Sequence, residues 1–265
     1  YVHYLIEIGR GTFAAARPRD LGLFIMFFPT LICGPIKRFQ LFHPQEYAAR
    51  ALTATDVHVG LSRILVGLAK KTLVADQLAP FCVGVFAHPE QVSWVRLWLG
   101  VYAYAAQIYF DFAGYSDIAI GTARLFGYTV PENFDRPYRK TDIAAFWRAW
   151  HMSLTSWIAD YVYIPLGGNR GGPARAAWNR LVAMTLCGLW HGAAWHFAAW
   201  GLYHGIMLNL YRVWSARRPP WHLPAPLGRG LAGLVTFHVV CIGWVLFVCD
   251  LPRAAFVIRR MLGLP

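Results

Sequence analysis

Two histidines stand in sequence contexts that favour chemistry. His191 lies within Gly188-Leu189-Trp190-His191-Gly192-Ala193, and His151 closes the run Phe146-Trp147-Arg148-Ala149-Trp150-His151. A neutral imidazole has an ordinary pKa of about 6.5, close to working pH, which suits it to general-base work. Gly188 and Gly192 remove side-chain bulk beside His191, so that a substrate or a neighbouring backbone can approach. Trp190, Trp195 and Trp200 offer apolar area around the same ring that would exclude water. The competing reading is that both imidazoles cross-link helices through hydrogen bonds, since a neutral ring can be satisfied that way. His191 is the stronger candidate for a base.

Other chemistries fit less well. Asp111 and Asp117 are six residues apart, a spacing that does not make a paired-carboxylate acid/base device on one helix; Asp111 is expected to satisfy an arginine or a helix terminus in the core. His191 and His196 are five apart and fall on different helix faces, unlike the four-residue spacing of HExxH, and no carboxylate or Cys stands at ligand spacing. No metal site is expected there. The segment Gly167-Gly168-Asn169-Arg170-Gly171-Gly172 lacks the Lys-Ser/Thr ending of a phosphate-binding loop, and there is no Gly-x-Ser-x-Gly elbow. Five cysteines without paired spacing give neither a disulfide framework nor a CxxC site and read as core packers.

The elements that must hold these residues read as membrane helices. Hydrophobic residues make up 57% of the 265 residues and charged ones 14%, with a mean hydropathy of +0.38. Soluble domains average about 25% charged, so the bilayer is the expected solvent. The net charge of +12 is scattered in short clusters between apolar runs, which speaks for topology and against nucleic acid. Leu21 to Ile36, broken by Pro29, Gly34 and Pro35, reads as a kinked or re-entrant helix, and Leu97 to Tyr115 as a span if Asp111 faces protein. The 31 residues from Leu181 to Tyr211 exceed the roughly 20 that cross a bilayer and predict one tilted helix or two meeting near Gly201. Gly230 to Cys249 is the plainest span. Val57 to Ala79 is amphipathic, with Lys70 and Lys71 at its middle, and is expected along the interface. Ala144 to Ile164, rich in Trp and Tyr, fits headgroup depth.

Basic residues gather in three expected connections: Arg136, Arg139 and Lys140; Arg170, Arg175 and Arg180; Arg212, Arg217 and Arg218. All three cannot be cytoplasmic if every intervening segment crosses once, so re-entrant helices are expected between them. The class is all-α, a polytopic membrane protein. The chain opens at Tyr1 in mid-pattern, without Met or a leader, and reads as a piece of a longer protein whose residues 1–265 form one partial transmembrane domain.

Three blocks carry a resemblance: YFDFAGYSDIAIGTARLFG from Tyr109, then ENFDRPYRKTDIAAFWRAWHMSLTSWIADYVYIPLGGNRGG, then GLWHGAAWHFAAWGLYHG. Together, in this order, they resemble the membrane-bound O-acyltransferase (MBOAT) family, in its bacterial branch acting on alginate and teichoic acids. The likeness is strong from about residue 109 to 205 and weaker over FFPTLICGPIKRF and the segment from Ile242 to Leu264. It implies a multi-helix bundle with re-entrant or tilted helices around a central funnel, in a bacterial cytoplasmic (inner) membrane. It implies acyl transfer from a thioester, acetyl-CoA or a carrier-bound acyl group, toward hydroxyls of a cell-surface polysaccharide, with no bound cofactor. The family's essential histidine falls on His191 and its second functional position on His151. The basic and aromatic stretch between Arg136 and Arg170 lies beside them, and relatives often have Arg where Ala149 and Ala159 stand.

On that resemblance, His191 takes the hydroxyl proton, while His151 orients the acceptor or donates to the developing oxyanion. Arg136, Arg139, Lys140 and Arg148 attract donor phosphates, and Asp111, Trp190 and Trp195 complete the expected binding surface. Expected partners are membrane lipids, the polysaccharide acceptor, a periplasmic or extracellular acyltransferase or esterase-like protein, and a cytoplasmic acyl carrier; nucleic acid is not among them. Two rivals keep the same residues: a conduit for acyl or lipid-linked intermediates, with the histidines as a proton relay, and a silent scaffold of a polysaccharide-modification complex.

Overall fold

A computed structural model describes residues 2–47, 51–217 and 224–264, and every regular element among them is helical. In order they are α1 (Val2–Gly9), α2 (Pro18–Met26), α3 (Phe39–Tyr47), α4 (Ala54–Ala69), α5 (Asp76–Ala87), α6 (Trp94–Leu125), α7 (Ile143–Trp147), α8 (Met152–Ile158), α9 (Gly172–His191), α10 (Trp195–Ala216), α11 (Ala225–Val248) and α12 (Leu251–Met261). Two π-helical stretches, Lys70–Ala75 and Ala159–Tyr163, follow α4 and α8. The chain divides into two compact units, residues 1–76 with 109–133 and residues 77–108 with 134–265, and α6 contributes to both.

In the first unit α4 and α6 meet along glycines. A Cβ at Gly60 would stand 2.9 Å from the Gly121 carbonyl oxygen, and one at Gly67 would stand 2.6 Å from that of Gly114. Small residues that let backbones touch are how helices associate where no hydrophobic effect drives them together. Charges fasten the same pair. Asp117 accepts from Arg63 Nε at 2.8 Å and from Lys70, and Arg124 meets the buried Asp56 at 2.6 Å. Thr53 and Asp56 also cap α4 reciprocally, satisfying two of its free N–H groups. Lys70 and Lys71 are held by carboxylates of α6, Asp117 and Asp111. The run expected as a kinked helix ends at Met26, and Pro29 sits in a short 3₁₀ turn, Phe28–Thr30. Phe24, Phe27, Phe39 and Phe42 pack with Tyr4 as that unit's aromatic core.

In the second unit the long apolar run resolves into two helices, α9 and α10, that break at Gly192 to Ala194 and not near Gly201. Gly201 lies inside α10, where a Cβ would stand 2.1 Å from the Met184 carbonyl oxygen of α9. Among the described residues one helix, Pro226–Val248, is long and apolar enough to cross a membrane. The other expected spans carry polar groups: α6 contains Arg96, Asp111, Asp117 and Arg124, and α9 contains Arg175 and Arg180. Leu202, Ile206, Leu210 and Trp214 nevertheless form an exposed stripe at four-residue intervals along α10. An apolar stripe of that kind is costly in water and free of cost in hydrocarbon.

Candidate active site

His191 is the last residue of α9, and its setting follows from the glycines around it. A Cβ at Gly188 would lie 2.0 Å from the Phe197 carbonyl oxygen, and one at Gly192 would lie 2.7 Å from the Phe197 ring. The glycines therefore serve the approach of a neighbouring helix, one of the two roles expected of them. Close packing of α9 on α10 brings Trp200 and Phe197 to His191, and α11 adds Phe247. Trp200 stands at 5.3 Å between centroids with a 90° interplanar angle, Phe247 at 5.0 Å and Phe197 at 6.2 Å. Trp200 is 1% exposed, so that side of the imidazole is shut from solvent.

His151 comes to the same place from another element. It joins α7 to α8 in the left-handed backbone region, with φ 42° and ψ 54°, and is 4% exposed. Few non-glycine residues adopt positive φ, and such outliers gather at functional sites where surrounding structure enforces them. Among the described residues only Arg136 and His151 do so. The enforcing structure is visible. Asp142 caps α7 by accepting from the Ala145 N–H at 2.7 Å, the Ala149 carbonyl accepts from the Asp135 N–H at 3.0 Å, and Trp150 is fixed by Phe146 and Trp244. The Trp190 ring lies 5.9 Å from His151 and 5.0 Å from His191, so one indole touches both imidazoles.

The remaining predicted residues are placed unevenly. Trp190 is in contact but 54% exposed, whereas Trp195 is 80% exposed and not part of the wall around His191. Its expected place is taken by Phe197 and Phe247, which sequence reading missed. Phe197 is recoverable from its spacing to Trp200, but Phe247 lies within an apolar run where nothing distinguishes one residue from the next. Arg136, Arg139 and Arg148 are exposed. Lys140 binds Asp135 at 2.7 Å, and that contact holds the Asp135 carboxyl below its usual range. Asp111 belongs to the first unit, half exposed and 2.7 Å from Lys71; it meets a lysine at the surface and not an arginine in the core. Arg175 and Arg180 lie within α9, and Arg212 within α10, not in connections. Arg180 donates to the Asn209 side-chain oxygen at 2.6 Å. Arg218 lies outside the described residues.

Four cysteines are buried as expected, but Cys33 is exposed. Ala149 is buried, and Ala159 opens the π-helical stretch after α8. The first unit also gathers Asp20, His43 and Glu46, whose ligand-type atoms lie within 4.8 Å of one another, a cluster without a sequence signal because its parts come from α2 and α3.

Comparison with known proteins identifies the family. Residues 20–249 match the membrane-bound O-acyltransferase family. The chain is 40% identical to the probable alginate O-acetylase AlgI of Azotobacter vinelandii over 247 residues, 93% of this chain and 48% of that protein. It is 38% identical to the peptidoglycan O-acetyltransferase of Helicobacter pylori, covering 92% of this chain and 47% of that protein. Identity to the teichoic acid D-alanyltransferase of Bacillus subtilis is 30%, over 84% of this chain and 60% of that protein. The chain spans about half the length of the first two relatives. A family match over most of the sequence, with both histidines inside it, leads to one conclusion: the chain belongs to the membrane-bound O-acyltransferase family.

Proposed function

We propose that this chain is part of a membrane-embedded O-acyltransferase, an O-acetyltransferase that moves an acyl group from a cytoplasmic thioester toward hydroxyls of a cell-surface polysaccharide. The observation that carries this reading is the shared indole: Trp190 touches His191 and His151, which come from different elements. The acceptor hydroxyl oxygen attacks the thioester carbonyl carbon while its proton passes to a ring nitrogen of His191. The C–O bond forms as the carbonyl electrons move onto oxygen. The tetrahedral intermediate then collapses, the C–S bond breaks, and the thiolate leaves with the proton held by His191. His151 orients the acceptor or donates to the oxyanion, and its enforced backbone fixes where it points. Trp200, Phe197 and Phe247 exclude water that would hydrolyse the thioester.

Arg136, Arg139, Lys140 and Arg148 present positive charge to donor phosphates. Trp190, in contact with both imidazoles, remains part of the expected binding surface. The protein is a multi-pass component of a bacterial cytoplasmic membrane, and residues 1–265 are one partial domain of it. A thioester carrier on the cytoplasmic side and an esterase-like protein on the other are its partners. The alginate and peptidoglycan names of the relatives support a polysaccharide acceptor. The test is His191→Ala in membranes containing the protein, with acyl groups on surface polymer measured by mass spectrometry. Loss of acylation at unchanged protein abundance is expected; persisting acylation removes His191 from catalysis. A conduit would move acyl groups without transferring them, and a scaffold would respond to His191 only through stability.

A further inference from the structure

Another histidine of the same unit has no part in the reaction above and is more deeply placed than either histidine that does. His204 lies inside α10 at 0% exposure, and both its ring nitrogens lack a hydrogen-bond partner among the described residues. The indole N–H groups of Trp147 and Trp200 are buried and unpartnered in the same way. The three rings touch one another edge to face: Trp147 and His204 at 5.0 Å, Trp200 and His204 at 5.2 Å, Trp147 and Trp200 at 5.6 Å. The backbone of α11 makes space for the imidazole, because a Cβ at Gly243 would stand 2.5 Å from His204 Nε2.

Burying a polar group without a partner is unfavourable, and an apolar side chain at 204 would avoid that cost. The chemistry of the three groups is complementary. Two indoles can only donate, while a neutral imidazole has one accepting and one donating nitrogen. None is bonded directly to another. A single water placed among them would accept from an indole N–H and donate to the imidazole, which is how buried polar groups are commonly completed. Trp200 is also the buried ring set at 90° to His191. Whatever fixes Trp200 therefore fixes one wall of the proposed base.

We propose that His204, with the indole N–H groups of Trp147 and Trp200, forms an internal water site that makes His204 a positioning residue, holding Trp200 against His191. The link to catalysis rests on the acyl-transfer reading; the water site does not. The experiment compares His204→Phe, His204→Leu and His204→Asn in membranes containing the protein, reading thermal unfolding midpoint, kcat and KM for the thioester donor. A polar site predicts that Asn outperforms Phe and Leu in both stability and rate. The Asn variant stays within about threefold of the unsubstituted protein, while Phe and Leu lose at least roughly tenfold in kcat with KM little changed. Mere packing predicts the reverse order, and Phe or Leu variants as stable and active as the unsubstituted protein overturn the proposal. Should the Phe and Leu variants fail to accumulate while Asn does, the polar site stands on that order alone. Trp200→Phe, which deletes the indole N–H, is expected to lower kcat without adding to the loss from His204→Phe; additive losses overturn the coupling. Persisting activity in His191→Ala would remove the acyl-transfer reading, and the unfolding order would still decide the water site.

Discussion

Gly188→Ala tests whether the spacing of α9 and α10 sets the position of the base. The new methyl carbon would begin 2.0 Å from the Phe197 carbonyl oxygen, where ordinary contact starts at 3.4 Å, so the helices must part by about 1.4 Å. The obstacle is backbone, which cannot rotate away as a side-chain tip can. His191 lies three residues on, over the same face of α9 as Gly188, and its neighbours Phe197 and Trp200 belong to α10. Parting the helices therefore displaces His191 from its own wall. A misplacement of about 1 Å costs on the order of 100-fold in rate, and overpacking costs about 1–3 kcal/mol of stability. Acyl transfer per unit of membrane protein, measured with abundance by immunoblot and with a thermal melt, reads both effects. Gly84→Ala is the control: it lies within α5 with nothing inside 4 Å of the added carbon, and Ala is the better helix former by about 0.5–1 kcal/mol. It should keep full rate and equal or greater stability. A Gly188→Ala protein that transfers acyl groups within about twofold of normal would refute the reasoning.

The same geometry gives three further expectations. Phe247→Ala should lower acyl transfer by at least roughly tenfold by opening the wall beside His191, while Trp195→Ala should change it by less than about twofold, because Trp195 is exposed; equal effects would contradict the placement of both. Asp117→Asn should destabilise the first unit by about 1–3 kcal/mol, less than for a fully buried ion pair because Arg63 and Lys70 remain part exposed, and an unchanged unfolding midpoint would count against it. Arg148→Glu should raise KM for a phosphate-bearing thioester several-fold at low salt with the difference shrinking at high salt, and a salt-independent change would rule out steering.

Some features were open to reading from residue order because they depend on local chemistry. The all-helical class follows from apolar runs without strand alternation, and the His151 and His191 blocks stand out as polar groups set among Trp and Gly. The start of α9 is marked by Gly172-Pro173, and α11 coincides with the plainest apolar run. Helix interruptions were less accessible. The break after His191 falls at Gly192, not Gly201, because Gly201 is used for contact with α9 and not for chain reversal. Both glycines have the same local propensity, and only the neighbouring helix distinguishes their roles.

By itself the sequence determined that this chain is helical and rich in lipid-compatible surface, and it singled out two histidines as candidates for proton transfer. Periodicity and hydropathy suffice for that, being sums over neighbouring residues. Tertiary structure alone decided that Trp200, Phe197 and Phe247, not Trp195, surround His191, that a left-handed turn aims His151, and that His204 is enclosed with two indole N–H groups. Those facts depend on which helices approach within a few ångströms of one another, and contacts between residues far apart in the chain leave no mark on the local pattern of either.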